Sequence, residues 1–191
     1  MEDINKEIRK NALSNGVIIG IIILVMSIVL LYLMSSWVSM MALAVSGGLT
    51  FVVYILCAIF FSIDLRKKVG GFWSFRQAVS GIFIMFLVAT IVSTIGNYIF
   101  TQFIEKDLTV KMVENIKTAT SNFMSNQGVD QATIDQKMSE MDVDMAGKLH
   151  PTAMDYVKNL LTSVIVMFIC ALIFAAIFKK ERPIVISDDE S

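Results

Sequence analysis

From Asn11 to Ile63 the chain runs for 53 residues without an Asp, Glu, Lys or Arg. Two further stretches, Gln77–Ile104 and Asn159–Phe178, share that property. No soluble fold buries runs of this length. A helix rises ~1.5 Å per residue, so ~20 apolar residues cross a ~30 Å hydrocarbon core. Composition points the same way: 55% of residues are apolar and 17% charged, against ~25% charged in an ordinary soluble domain. The mean hydropathy is +0.69. The expectation is an all-α integral membrane protein, one membrane domain built as a bundle of four transmembrane helices. A net charge of −1 excludes a nucleic-acid binder driven by bulk charge.

The first uncharged run is too long for one span and fits two joined by a short turn. Spans are expected at Val17–Met34, Met41–Ile63, Ala78–Ile104 and Tyr156–Phe178. Ser35, Ser36 and Trp37 mark the first turn, with Trp37 at headgroup depth. Ala42-Leu43-Ala44 has the small-x-small pattern of a cleavage site. The apolar stretch before it exceeds a signal-peptide core, however, and a second span follows at once, so the segment reads as retained. Orientation follows the Lys and Arg of short loops. Lys6, Arg9 and Lys10 precede the first span. Arg66, Lys67, Lys68 and Arg76 lie in the second connection, and Lys179, Lys180 and Arg182 follow the fourth span, whereas the first connection has no basic residue. Both termini are therefore expected in the cytoplasm, with residues 105–155 on the opposite side.

Helices in lipid associate through small residues and a few polar groups. Each span carries one such stripe at helical spacing. These are Gly16, Gly20 and Ser27; Gly47, Thr50, Tyr54 and Cys57; Thr90, Ser93, Thr94, Asn97 and Thr101; and Asn159, Ser163 and Cys170. They read as the inward faces of the bundle, with Gly16-x-x-x-Gly20 a close-approach motif. The alternative is a polar conduit along the third-span stripe. Ion and proton pathways usually need intramembrane carboxylates, histidines or basic groups, and the span centres hold none. Cys57 and Cys170 read as small packing residues, with a disulfide between them the minority reading.

Two connections carry pattern. In Arg66–Arg76, Gly70-Gly71 permits a tight reversal, and Ser74 with Gln77 forms a capping box that opens the third span. Phe72 and Trp73 suit the headgroup layer or a docked partner, and the basic triplet suits anionic lipid. The spacing of a nucleotide-binding loop is missing. Residues 105–155 place Leu108, Met112, Val113, Ile116, Ala119 and Phe123 at helical spacing, with Asp107 as N-cap. Asn126, Gln127 and Gly128 break the helix. Asp130 then caps a second helix with Ile134, Met138 and Met141 on one face. This amphipathic extracytoplasmic hairpin is too small for a secure core of its own. It should rest on the bundle mouth, on headgroups or on a partner, with Met112, Ile116 and Phe123 as candidate contacts. Glu140, Asp142, Asp144 and His150 lack the spacing of a calcium loop or a zinc helix and read as a solvated acidic face. His150 precedes Pro151, which suits a first helical turn, and Asp155 can pair with Lys158. Residues 183–191 read as a disordered acidic cytoplasmic tail.

Several segments together resemble domain-of-unknown-function family 4199, small four-span inner-membrane proteins found mainly in Bacteroidota. They are Gly70-Gly71-Phe72 with Ser74-Phe75, Asn97-Tyr98-Ile99-Phe100 with Phe103-Ile104, and Gln127-Gly128 before Ile134-Asp135-Gln136-Lys137-Met138. The last is Ile177-Phe178-Lys179-Lys180-Glu181-Arg182-Pro183. Ile104-Glu105-Lys106-Asp107 departs from the family, which often carries a proline there. The resemblance implies a bacterial inner-membrane location and supplies no catalytic residues. The expected role is non-enzymatic: a scaffold or accessory subunit that binds a membrane or envelope partner, or a second copy of itself, with no cofactor or metal. A small transporter or channel is the alternative. An enzyme at the outer surface is a distant third, because the sole histidine has no convincing partner.

Overall fold

The computed structural model describes residues 2–36, 39–149 and 153–181. In chain order the helices are α1 (Glu2–Ser36), α2 (Met40–Lys68), α3 (Phe75–Ile99), α4 (Lys106–Asn126), α5 (Gln131–Leu149) and α6 (Ala153–Phe178). A π-helical turn, Phe100–Ile104, joins α3 to α4. Among the described residues the only strand-like feature is one antiparallel bridge between Trp73 and Lys180. Four helices are long and apolar enough to cross a membrane: α1, α2, α3 with its π turn, and α6. Trp37, His150, Pro151, the side chain of Asp155 and the acidic tail all lie outside the described residues.

The ends of these helices follow local chemistry. α1 begins well before Val17 because Ile4, Ile8, Ala12 and Asn15 recur on one face. That face is buried at Ile8, Ala12 and Asn15, so the helix continues past its apolar run as an amphipathic extension. Arg66, Lys67 and Lys68 occupy the last turn of α2, where cations offset the carbonyl end of the helix dipole. The chain then reverses through Gly70 and Gly71 at φ 93° and 81°, a region that only glycine enters at little cost. Ser74 accepts from the Gln77 backbone amide while the Gln77 side chain accepts from the Ser74 amide, the reciprocal box that opens α3. The N-cap of α4 is Glu105, not Asp107. Because the π turn delivers the chain to helix early, Asp107 falls in the first turn, where its charge still favours the helix. Asp130 does cap α5, accepting from the Thr133 amide at 3.0 Å and the Thr133 hydroxyl at 2.8 Å. Those donations, the hydroxyl's first, hold the Asp130 carboxyl below its usual range.

Within the bundle, α3 is the spine. It packs along α1 on one side and against α6 on the other. α2 closes the ring between α1 and α6 and touches α3 only slightly, while α1 and α6 do not meet among the described residues. The core lies toward the basic end, where Ile8, Leu65, Trp73, Ile82 and Met85 join Ala12, Ala78, Ala171 and Ala175. At the other end α4 lies across α1 and α2. Among the described residues α5 touches α4 alone.

Candidate functional site

The third-span stripe turns out to be divided. Ser93 is buried, Thr90, Asn97 and Thr101 are half-buried, and Thr94 is exposed on the outer surface of the helix. Most of the polar atoms are satisfied by α3 itself. Ser93 Oγ donates to the Thr90 carbonyl, Asn97 Nδ2 to the Ser93 carbonyl and Thr101 Oγ1 to the Asn97 carbonyl. Two bonds leave the helix: Ser27 Oγ donates to Asn97 Oδ1 at 2.9 Å, and Thr90 Oγ1 donates to Met167 Sδ at 3.1 Å. Gly16 and Gly20 sit where α1 crosses α3. A Cβ on Gly16 would stand 2.7 Å from the Met85 carbonyl oxygen, and one on Gly20 would stand 2.7 Å from Val92 Cβ. The second-span stripe differs. Gly47 and Tyr54 are exposed, and a Cβ on Gly47 or Gly48 would meet nothing within 4 Å.

The basic end holds a polar cluster that the sequence reading passed over. Asn15 is fully buried. Its Nδ2 donates to Asp64 Oδ2 at 2.8 Å, and its Oδ1 accepts from Lys68 Nζ at 2.9 Å. Lys68 in turn pairs with Asp64 at 2.7 Å, one helical turn along α2. The three groups satisfy each other and pin the base of α2 to α1: Asn15, which has no water to turn to, finds both its partners in an ion pair that stays partly exposed. The available signal was the i, i+4 acid–base pair at the edge of an uncharged run.

The glycine–aromatic loop is occupied within the molecule. Trp73 is enclosed by protein, at 2% exposure, so it is not the headgroup anchor its position suggests. Its Nε1 donates to the Phe178 carbonyl at 2.9 Å, and Arg66 Nη1 donates to the same oxygen at 3.3 Å. Backbone bonds between Trp73 and Lys180 run in both directions. Phe72 is half-buried, with the Lys180 ammonium 5.2 Å from its ring centre. The loop thus caps the carbonyl end of α6, whose last groups have no partner within their own helix. Gly70 and Gly71 supply the reversal that aims it.

At the far end α4 does the same for α1. Asn115 Nδ2 donates to the carbonyls of Met34 and Ser35 at 3.0 and 2.8 Å. Tyr32 donates to Glu105 at 2.9 Å. Leu108 and Ala119 are buried, Met112 and Ile116 half-buried, and Phe123 exposed. On α5, Ile134 is buried and Met138 and Met141 are half-buried, while Lys117 pairs with Asp142 across the hairpin. Glu140 is engaged by Lys137 and Gln136 on its own helix, which lowers its pKa. Among the described residues no cluster of His, Cys, Asp and Glu could hold a metal ion, and both cysteines are free thiols.

Long apolar helices ringed around one interior and capped by a polar hairpin define a multi-pass membrane bundle. The chain belongs to the family described as Protein of unknown function (DUF4199), whose sequence profile matches residues 14–180. That range takes in both the Gly16–Gly20 contact and the bridge from Trp73 to Lys180. No curated protein and no solved structure matches the chain.

Proposed function

We propose that the protein is a non-enzymatic scaffold or accessory subunit of a bacterial inner membrane, with both termini in the cytoplasm, and that it presents α5 to an envelope partner. One observation carries this reading: among the described residues α5 touches only α4. The bundle's other polar attachments close on themselves, in the loop that caps α6, in Asn115 on α1 and in the Asn15 cluster. The outer face of α5 remains, bearing Gln136, Ser139 and Val143, and Val143 is apolar yet 74% exposed. The orientation rests on Arg66, Lys67, Lys68, Lys179 and Lys180, gathered at the end away from the hairpin.

Photo-crosslinking residues at Ser139 and Val143, activated in the native membrane, should capture one recurring adduct. The same residue at Ile134, turned toward α4, should not. Recovery of bare monomers from every position, under conditions that preserve other complexes, would overturn the reading. A reporter enzyme fused after Asn126 should be active in the periplasm and one fused after Lys68 inactive there.

The second reading, a small transporter or channel along the third span, draws on Thr90, which borders a central cavity. Flux in liposomes would then fall when Thr90 and Asn97 become Leu. The bonds of Ser93, Asn97 and Thr101 to their own helix favour the scaffold.

A further inference from the structure

α2 is pinned to α1 at its base by the Asn15 cluster and touches α3 only slightly. A cavity of about 360 Å³ opens in the space this leaves at the centre of the ring, lined by residues of α1, α2, α3 and α6. Its inner wall includes Ile19, Ala58, Ala89 and Met167, all buried. Its mouth lies between α2 and α6, where Tyr54 and Val166 are exposed lining residues. Both stand near the middle of their helices, so the mouth faces sideways at the depth of the hydrocarbon centre rather than toward either aqueous phase. No lining residue is charged, and the Thr90 hydroxyl at the wall already donates to Met167.

We propose that this cavity is a binding site for one acyl chain of a membrane phospholipid. Water has too few polar partners there, since apolar cavities of about 150 Å³ already stay dry and take up apolar molecules. Left empty, the cavity would deprive its wall of dispersion contacts on one side. The occupant must be present at mid-bilayer depth, pass through a slot between two helices and need no hydrogen bond. A phospholipid tail meets all three conditions, and sites of this size and lining are common between the helices of bundles. Such a chain differs from the lipid that coats the outside, because it touches side chains that the surrounding bilayer cannot reach. Ala89 is 2% exposed and Met167 is 9% exposed. The site is independent of any role for α5.

The test uses the full-length protein in vesicles of phosphatidylethanolamine and phosphatidylglycerol, doped with a phosphatidylethanolamine that carries a diazirine midway along one acyl chain. After irradiation, mass spectrometry of the digest should find adducts at Ala89 or Met167 as well as at outward residues such as Val25 and Ile165. Ala58→Phe fills the cavity and should abolish the inward adducts while leaving the outward ones. Cys170→Met, a milder filling from the facing wall, should reduce them in the same direction and serves where the larger side chain prevents folding. Parallel vesicles doped with a diazirine-bearing free fatty acid separate the two sources of a hydrocarbon chain. Adducts confined to outward residues, inward adducts that survive both fillings, or inward labelling by the free acid alone would each overturn the proposal.

Discussion

Two pairs of glycines in this molecule have opposite fates. Gly16 and Gly20 on α1 are pressed against α3 so closely that a methyl group would collide with backbone carbonyl oxygens at 2.7 and 2.9 Å. Gly47 and Gly48 on α2 face open space. Both pairs lie within apolar runs, and Gly47, like Gly16 and Gly20, belongs to a small-residue stripe that reads as an inward face. The difference is that Gly16 and Gly20 meet a ridge that fits them, with Val88 and Val92 seated in the notch. α2 is tied to α1 at its base and touches α3 only slightly. A small residue allows close packing, and the neighbouring helix decides whether it happens.

Substitutions can break that contrast or sharpen it. Gly16→Leu forces α1 off α3, and unfolding in detergent should record a loss of about 3 kcal/mol, the upper part of the range for overpacked cores. Asn15→Ala strips Asp64 and Lys68 of a shared partner. Those two stay paired and partly exposed, so the same assay should register about 1 kcal/mol, the net worth of a typical hydrogen bond, and spin labels on α1 and α2 should report a wider gap at the basic end. Ser27→Ala removes a single bond across the α1–α3 seam, and about 0.6 kcal/mol is expected, the average for interhelical hydrogen bonds in a membrane bundle. Gly47→Leu should not destabilise the protein, because its Cβ meets nothing and removing a glycine from a helix interior favours the helix. If Gly47→Leu proved as damaging as Gly16→Leu, α2 would have to pack tightly in the membrane and the contrast would vanish.

Much of the architecture was legible because the features that specify it are local. Ser74 and Gln77 are three residues apart, and Asp130 and Thr133 likewise, so capping chemistry could be read directly along the chain. The apolar runs demanded four spans for the same reason. Features that depend on distant partners were not legible. Trp73 beside basic residues resembles an interfacial anchor. Its place in the core with Ile8 and Leu65, and its bond to the Phe178 carbonyl 105 residues further on, both depend on distant segments. Asn15 looked like one more uncharged polar residue until Asp64 and Lys68 were brought to it from the next helix. The third-span stripe looked like a single inward face, but Thr94 points away from the bundle while its neighbours bond to their own backbone. The stripe on α2 guided only in part, with Thr50 and Cys57 half-buried but Gly47 facing open space, because the angle at which a helix stands to its neighbours is not written in its periodicity.

The hold that Trp73 and Arg66 keep on Phe178 has a consequence for biosynthesis. The loop is made more than a hundred residues before the oxygen it needs, so until translation reaches the end of α6 its indole N–H has no such acceptor and α3 lacks one flank. A nascent chain halted short of that point cannot seat Trp73. Finishing the polypeptide and closing the bundle are therefore coupled steps, and a truncated product should be recognisable by that unseated tryptophan.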